Sequence, residues 1–538
     1  MELARREDRA LLAAVRDKGY TPRRADVDAL VALLAVADDD TADDVQRALL
    51  AHPEETLDRA MERFSGSRPP MRSRVVRLVG RLGGTSSLAS RAGDVGAWLL
   101  GRLDDEDPKT RRHAAQALPR WGVRGAEESL LAAWEKESRV EHRVTIAQSL
   151  GKVGGVRARS LLRSVASSDA RLQKAIEQAA LMVERTLHRG VDGTVEMSGT
   201  PRAAATMELG CKRGLEKLLA SEFDASWGAT VIGPGRVRVM LSGPLETIYR
   251  ARIFRTAAFV VPPVPKLPGA DVADAVVASV LSPGSMRLFE SFMLRTVRYR
   301  LEWAEGGHRK ALTWKCVSRI SELCPALVND PRDSAWDIIV HESADRVQVH
   351  LRPRKMVDPR FSYRRAEVPA ASHPTIAAAL ARVAGASADD VVWDPFVGSG
   401  LELAERARLG AYARMEGRDL DAVALAAAQK NLGHVSRLSL VQGDALDPAP
   451  AGVSLILTNP PLGHRVGFGR ELPAMLERFV AHAARALVPG GRMVWLSPMD
   501  RSVREAGERA GLRLTMRQRV DLGGLEAELQ RLERPLRG

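Results

Sequence analysis

Cysteine is almost missing from this chain. The 538 residues hold three, Cys211, Cys316 and Cys324. Their spacing suits no zinc site and cannot make a disulfide framework, so each reads as an apolar thiol in a reducing compartment. No apolar run approaches the roughly 20 residues of a membrane helix. The opening "MELARREDRALLAAVRDKG" is charged throughout and lacks the apolar core of a secretory signal. Together these absences lead us to expect a cytoplasmic protein with no membrane partner. Lysine is scarce too, 12 against 68 arginines, a bias that genome composition alone can produce. The net charge of +13 says more, because it favours a polyanionic partner. The apolar share of 45% is ordinary, and the length exceeds one core, so three or four domains are expected.

The first 190 residues repeat. "LLGRLDDEDPKTRRHAAQALPRWG" and "LLAAWEKESRVEHRVTIAQSLGKVG" end on Gly122 and Gly154, and the same offset superposes Arg111 on Arg143 and Leu118 on Leu150. Gly83 takes the same role in "MRSRVVRLVGRLGG". Self-similarity at a fixed period, with apolar residues at helical spacing, indicates an α-helical solenoid of HEAT-like repeats. "DDEDP" fits a turn whose proline opens the second helix of a pair. Repeats of this kind bind or brace, which leaves room for a protein partner.

A polar, Gly-rich stretch reads as a linker at 191–202. Beyond it the pattern is α+β. Strands are expected in "AAATMEL", "GPGRVRVMLSG", "TAAFVVPPV" and "LRTVRYRLEWAE", and helices in "KRGLEKLLASEF", "PLETIYRARIF" and "LTWKCVSRISELCPALV". "WDIIVHES" and "RVQVHLRP" form a hairpin. From residue 358 strands and helices alternate, which predicts a doubly wound, Rossmann-like sheet of seven strands. Helices separate the first six strands, and the last strand is antiparallel. Ligands in such sheets lie beyond the carboxyl ends of the strands.

Those ends carry the chemistry. "DPFVGSG" places Asp394, Gly398 and Gly400 at a strand-to-helix turn that a ligand can approach. Asp419 ends the second strand, where an acid can take the hydroxyls of an adenosine ribose; NAD(P), FAD and S-adenosylmethionine all remain open. Asp421 reads as a helix N-cap. Asp444, after the third strand, is either an acceptor for an adenine amine or a loop-starting aspartate. The fourth strand halts at Asn459-Pro460-Pro461-Leu462. The Asn459 side-chain carbonyl and a rigid backbone carbonyl at Pro460 can accept both hydrogens of a planar NH2. That favours a pyramidal nitrogen and stabilises the charge that grows as the amine attacks. No metal site is expected.

"DPFVGSG", "GRDLD", "GD" and "NPPLG", in this order, resemble class I S-adenosylmethionine-dependent methyltransferases of the amino-methylating type. "DPRFSYRRAEVPAASHPTIAAALARVAG" and "RGLEKLLASEF…GPGRVRVMLSGPLETIYRARIFRTAAFVV" resemble THUMP-containing RNA guanine-N2 methyltransferases, over roughly residues 203–538. The resemblance implies a ferredoxin-like domain (203–265), a THUMP-like domain (266–357) and a methyltransferase domain (358–538). It implies S-adenosylmethionine as cofactor, held by Asp394, Phe396, Gly398, Gly400, Asp419, Asp444 and Asn459. Catalysis would fall to Asn459, Pro460, Pro461 and Leu462, on guanosine N2 in tRNA or, next, 23S rRNA. Val397 and Leu401 stand where the family often has Cys and Thr, and Leu462 where it usually has an aromatic residue that stacks on the base. Two alternatives are an RNA-binding scaffold with an inactive, cofactor-binding methyltransferase domain, and an amino-methyltransferase of adenine or protein glutamine.

Overall fold

A computed structural model describes residues 10–536, apart from 18, 124, 188–193, 294–295, 308, 357, 370–371, 462–471 and 498–500. The chain divides into one unit of residues 1–192 with 317–330 and a second of 193–316 with 331–538. Assignment of 317–330 to the first unit departs from the sequence boundaries, which kept it with its neighbours in sequence.

The first unit is a run of helix pairs: Pro53–Phe64 with Met71–Leu82, Ala92–Leu100 with Pro108–Ala117, Ala126–Lys136 with Val140–Val153, and Val156–Ser164 with Ala170–Leu187. Asp107 caps its helix by accepting the Lys109 and Thr110 N–H groups, with Pro108 at the first helical position. The superposed arginines do the same work. Arg111 donates to the Asp105 carbonyl at 2.9 Å and Arg143 to the Glu137 carbonyl at 2.7 Å, each six residues upstream. A single apolar core runs from Val15 to Val183. The recurring glycine serves close packing more than turning. A Cβ would stand 2.8 Å from the Arg120 Cβ at Gly83 and 2.5 Å from the Ala158 Cβ at Gly154. Of the three, Gly122 alone lies in the left-handed region, at φ +61°.

The second unit begins with strands β1 (Ala205–Gly210), β2 (Thr230–Gly233), β3 (Arg236–Leu241), β4 (Thr256–Val260), β5 (Val264–Pro265) and β6 (Val297–Trp303). β7 (Leu327–Asn329) falls in the first unit, and β8 (Trp336–Glu342) and β9 (Arg346–Pro353) form the expected hairpin. Their sheet runs β2-β3-β1-β4-β9-β8-β6. The join is short: Phe259 pairs with Leu351 and Val260 with His350. The segments read as two domains, 203–265 and 266–357, therefore share one sheet, in which β9 covers the otherwise open edge of β4. Two helices are smaller than expected. The first spans Glu216–Ala220, after Gly214 at φ +96°, and "PLETIYRARIF" yields a 3₁₀ turn, Leu245–Arg250. The described end of the linker is docked on the unit: Val195 N–H donates to the Lys355 carbonyl and Glu196 N–H to that of Phe292, and Val195 is buried.

The second sheet comprises β10 (Val391–Asp394), β11 (Arg414–Asp419), β12 (Leu438–Gln442), β13 (Val453–Thr458), β14 (Leu487–Ser497), β15 (Arg513–Asp521) and β16 (Glu526–Glu533). The order is β12-β11-β10-β13-β14-β16-β15, parallel except for β16. Helices follow β10, β11, β13 and β14, but the expected helix between β12 and β13 is absent. That connection carries Pro448 and Pro450, and neither proline nor so short a span supports a helix. Cys316 is buried as expected, whereas Cys211 and Cys324 are half-buried. Among the described residues no single helix is long and apolar enough to cross a membrane.

The glycine geometry gives a direct test. Gly154→Ala, which must displace backbone at Leu150, is expected to destabilise the helical unit by about 1–3 kcal/mol. Gly93→Ala, with nothing within 4 Å, should be neutral or slightly stabilising. Thermal unfolding of the two variants measures the difference.

Candidate active site

The sheet order places β10 between β11 and β13, and the chain leaves β10 on one side before returning on the other. The crevice beyond their carboxyl ends is the switch point. Here the turn after β10 and the acid ending β11 are tied together. Asp419 Oδ2 accepts the Gly398 N–H at 2.9 Å, and its Oδ1 accepts that of Asp421 at 3.0 Å. The two glycines of the turn differ in purpose. Gly398 sits at φ +50° and a Cβ there would meet nothing nearer than 4.0 Å, so its outer side is open to a ligand. Gly400, at φ +82°, has Leu432 where a Cβ would be, at 2.6 Å, so its lack of a side chain lets the helices pack closely. Phe396 is half-buried and turns its ring onto Phe479, 5.1 Å between centroids, against the core. Asp421 caps its helix as expected, through the Val423 N–H. Asp444 is exposed and its Oδ1 accepts the Leu446 N–H, the loop-starting role.

Asp394 is fully buried. Its Oδ1 accepts from the Thr458 hydroxyl at 2.6 Å and the Phe396 N–H at 3.2 Å, while Oδ2 has no partner among the described residues. Burial holds this carboxyl well above the ordinary aspartate range, and neighbouring Glu402 pushes it the same way. Glu402, also buried, is raised by desolvation and held back by the Ser372 hydroxyl that donates to it.

Asn459 follows directly on β13. Its Nδ2 donates to Ser372 Oγ at 2.6 Å, and its Oδ1 is buried and accepts no hydrogen bond from the described residues. Leaving such an acceptor unpaired costs about 1–3 kcal/mol. The two prolines explain why nothing local satisfies it. An asparagine carbonyl at a turn is ordinarily taken by the N–H two residues on, but here that residue is Pro461. Pro460 is buried and Pro461 half-buried; Leu462 lies outside the described residues.

Sequence reasoning missed the buried polar residues on the helices that follow β10 and β11. Glu405 accepts from two Arg252 nitrogens, at 2.6 and 2.8 Å, and from the Tyr363 hydroxyl. Asn431 accepts the N–H groups of Arg365 and Ala366 and donates to the carbonyls of Ala366 and Ser399. Buried polar residues in an apolar helix pattern were the available signal, and for Ser372 there was none.

Residues 362–528 match the family described as RMKL-like, methyltransferase domain, and residues 96–180 match HEAT repeats. A tRNA (guanine(10)-N2)-dimethyltransferase of Methanothermobacter thermautotrophicus is 29% identical over 180 residues, 32% of this chain. The match spans 49% of that relative, about half its length. The crystal structure of TrmN from Thermus thermophilus aligns with a TM-score of 0.51 at 24% identity, covering 61% of this chain and 99% of that one. The chain thus carries a methyltransferase-type fold with a helical-repeat region before it.

Asp394 and Glu402 hold protons more tightly folded than unfolded. Their contribution to stability is therefore complete below the ordinary carboxylate range and is lost as pH rises through the folded values. Asp394→Asn keeps the Oδ1 acceptor and removes the charge. It is expected to raise the melting temperature by about 2–6 °C at pH 8 and by less at pH 5. Equal lowering at both pH values, in calorimetric scans, would contradict this.

Proposed function

We propose that this chain is an S-adenosylmethionine-dependent RNA methyltransferase acting on the exocyclic N2 amine of a guanosine in structured RNA, tRNA before 23S rRNA. The observation that carries the reading is Asn459 Oδ1, a buried acceptor at the end of β13 that no group among the described residues satisfies. An N–H of a planar amine completes it, and the backbone carbonyl at Pro460 is the natural second acceptor.

The residues at the crevice fit the cofactor. The open side of Gly398 admits it, Asp419 keeps lone pairs for ribose hydroxyls, and the unpartnered Asp394 Oδ2 suits a cationic amine at the methionine end. When bound, S-adenosylmethionine supplies an electrophilic methyl group on a sulfonium. Asn459 and Pro460 hold the amine, draw its lone pair out of conjugation and stabilise the positive charge that develops on nitrogen. The product amine then loses a proton. No strong general base is needed before the attack.

An RNA substrate is supported by charge near this corner. His373, next to Ser372, is pushed down to about 4 by burial and, after that, by Arg255, Lys212, Arg364 and Arg360. Of these, Arg255 is exposed beside the amine-binding corner and suits a phosphate flanking a base turned out of its stack, whereas Arg360 is buried against Asp358. The relative named for tRNA guanine-N2 dimethylation supports the choice of base and RNA. The sheet of β1–β9 is read as the ferredoxin-like and THUMP-like module that presents the RNA.

Nucleoside mass spectrometry of total RNA from cells with and without the gene tests the reading. Loss of N2-methylguanosine is expected; loss of N6-methyladenosine, or an unchanged RNA profile, overturns it. In single-turnover methylation with labelled cofactor, Asn459→Ala is expected to be slower by about 10²–10³ with cofactor affinity unchanged.

A further inference from the structure

We infer that Ser372 and Glu402 are positioning residues that orient the Asn459 carboxamide, so that its carbonyl and not its amino group faces the substrate amine. The inference rests on the proposed amine clamp and adds two residues to it. A carboxamide is nearly symmetric in shape, and either end fits the same space. Only hydrogen bonding chooses between the two orientations, and the choice decides whether the corner binds an amine or repels it.

Here the choice is made by a directed relay. In its ionised form, the state that the Ser372 hydroxyl favours, the Glu402 carboxylate, buried in the helix Leu401–Arg408, is an acceptor only. Ser372 donates its single hydroxyl proton to Glu402 Oε1. With that proton committed, Ser372 Oγ can only accept, and it accepts Asn459 Nδ2–H at 2.6 Å. Asn459 Nδ2 is fixed toward Ser372, and Oδ1 is left on the opposite side, buried and without a donor among the described residues. A second constraint acts from the backbone, since Pro461 has no N–H with which to draw Oδ1 into a local turn. The relay turns the amide and the prolines keep its carbonyl available.

Glu402 is well placed for this task because its helix starts at the glycine turn after β10. Ser372 lies just before the helix Pro374–Ala384, whose N-cap is His373. Three separate chain segments thus meet at one carboxamide. Neither Ser372 nor Glu402 needs to touch the RNA or the cofactor to influence turnover.

The test uses the full chain. In single-turnover methylation of the RNA that the parent modifies, Ser372→Ala is expected to slow transfer about 10–100-fold, by analogy with residues that orient metal ligands, with the cofactor and RNA half-saturation constants unchanged. Ser372→Thr, which keeps the hydroxyl, should restore the rate to within about threefold of the parent. Glu402→Gln keeps the shape but is no longer an acceptor only, and should lose about tenfold. In an Asn459→Ala background, Ser372→Ala should cost nothing further, because there is no amide left to orient. A parental rate for Ser372→Ala, or a loss that adds in full to that of Asn459→Ala, overturns the inference.

A second readout does not depend on activity. The chain has three asparagines, Asn329, Asn431 and Asn459, so selective ¹⁵N-asparagine labelling gives three side-chain amide pairs, and Asn459→Ala identifies its own. Ser372→Ala should shift the Asn459 pair and speed its solvent exchange while leaving the Asn431 pair in place. An unmoved Asn459 pair overturns the relay. Should the parent transfer no methyl group to any RNA, the proposed function falls, and the relay is judged on these resonances alone.

Discussion

A carbonyl oxygen kept without a donor is the constraint around which the strand ends are organised. Asn459 Oδ1 is buried, so an unpaired state is costly, and the chain accepts that cost by placing prolines at the two positions that follow. The same substitution of proline for any N–H-bearing residue stiffens the corner, so the acceptor keeps its place when the site is empty. Strain of this kind, stored at one atom, is what a preorganised acceptor requires: no reorganisation is left to be done as charge develops.

The helix Leu401–Arg408 links this atom to the rest of the second unit. Glu402 reaches inward to Ser372 and lies beside Asp394 at the ligand crevice. Three residues on, Glu405 grips Arg252 and Tyr363 on the side of the β1–β9 sheet. Arg360, whose guanidinium lies 3.7 Å from the Phe254 ring centroid and donates to the Phe254 carbonyl, adds to the same seam. The module proposed to present RNA and the corner proposed to act on it are therefore fastened to neighbouring positions, one turn apart, on one short helix. Truncations that preserve the second unit must also keep the segment from Thr194, since Val195 and Glu196 bond to its backbone.

What the sequence disclosed follows from the range of the physics. The parallel strands were legible from their alternation with helices and from apolar runs ending at Asp394 and before Asn459, and the helix pairs as a period marked by Arg111 and Arg143, because these signals are local. The absent helix between β12 and β13 was misjudged by assuming alternation where Pro448 and Pro450 forbid it. The merging of the two α+β segments depends on the pairing of Phe259 with Leu351 and Val260 with His350, contacts too distant in sequence to be read from it. In the site, Gly398 and Gly400 look alike in a motif, yet one faces open space and the other Leu432. Ser372 lies in a stretch read only for its overall resemblance and Glu402 just past the glycine turn; their roles exist only once three segments have come together.

The need for an exocyclic amine can be measured by removing that amine from the substrate. Once the modified guanosine has been mapped, a synthetic RNA carrying inosine at that position differs only in lacking the 2-amino group. The clamp at Asn459 predicts that this RNA binds with affinity close to that of the guanosine form and takes up no labelled methyl group. Methyl transfer to the inosine RNA at a rate comparable to the guanosine RNA would contradict it.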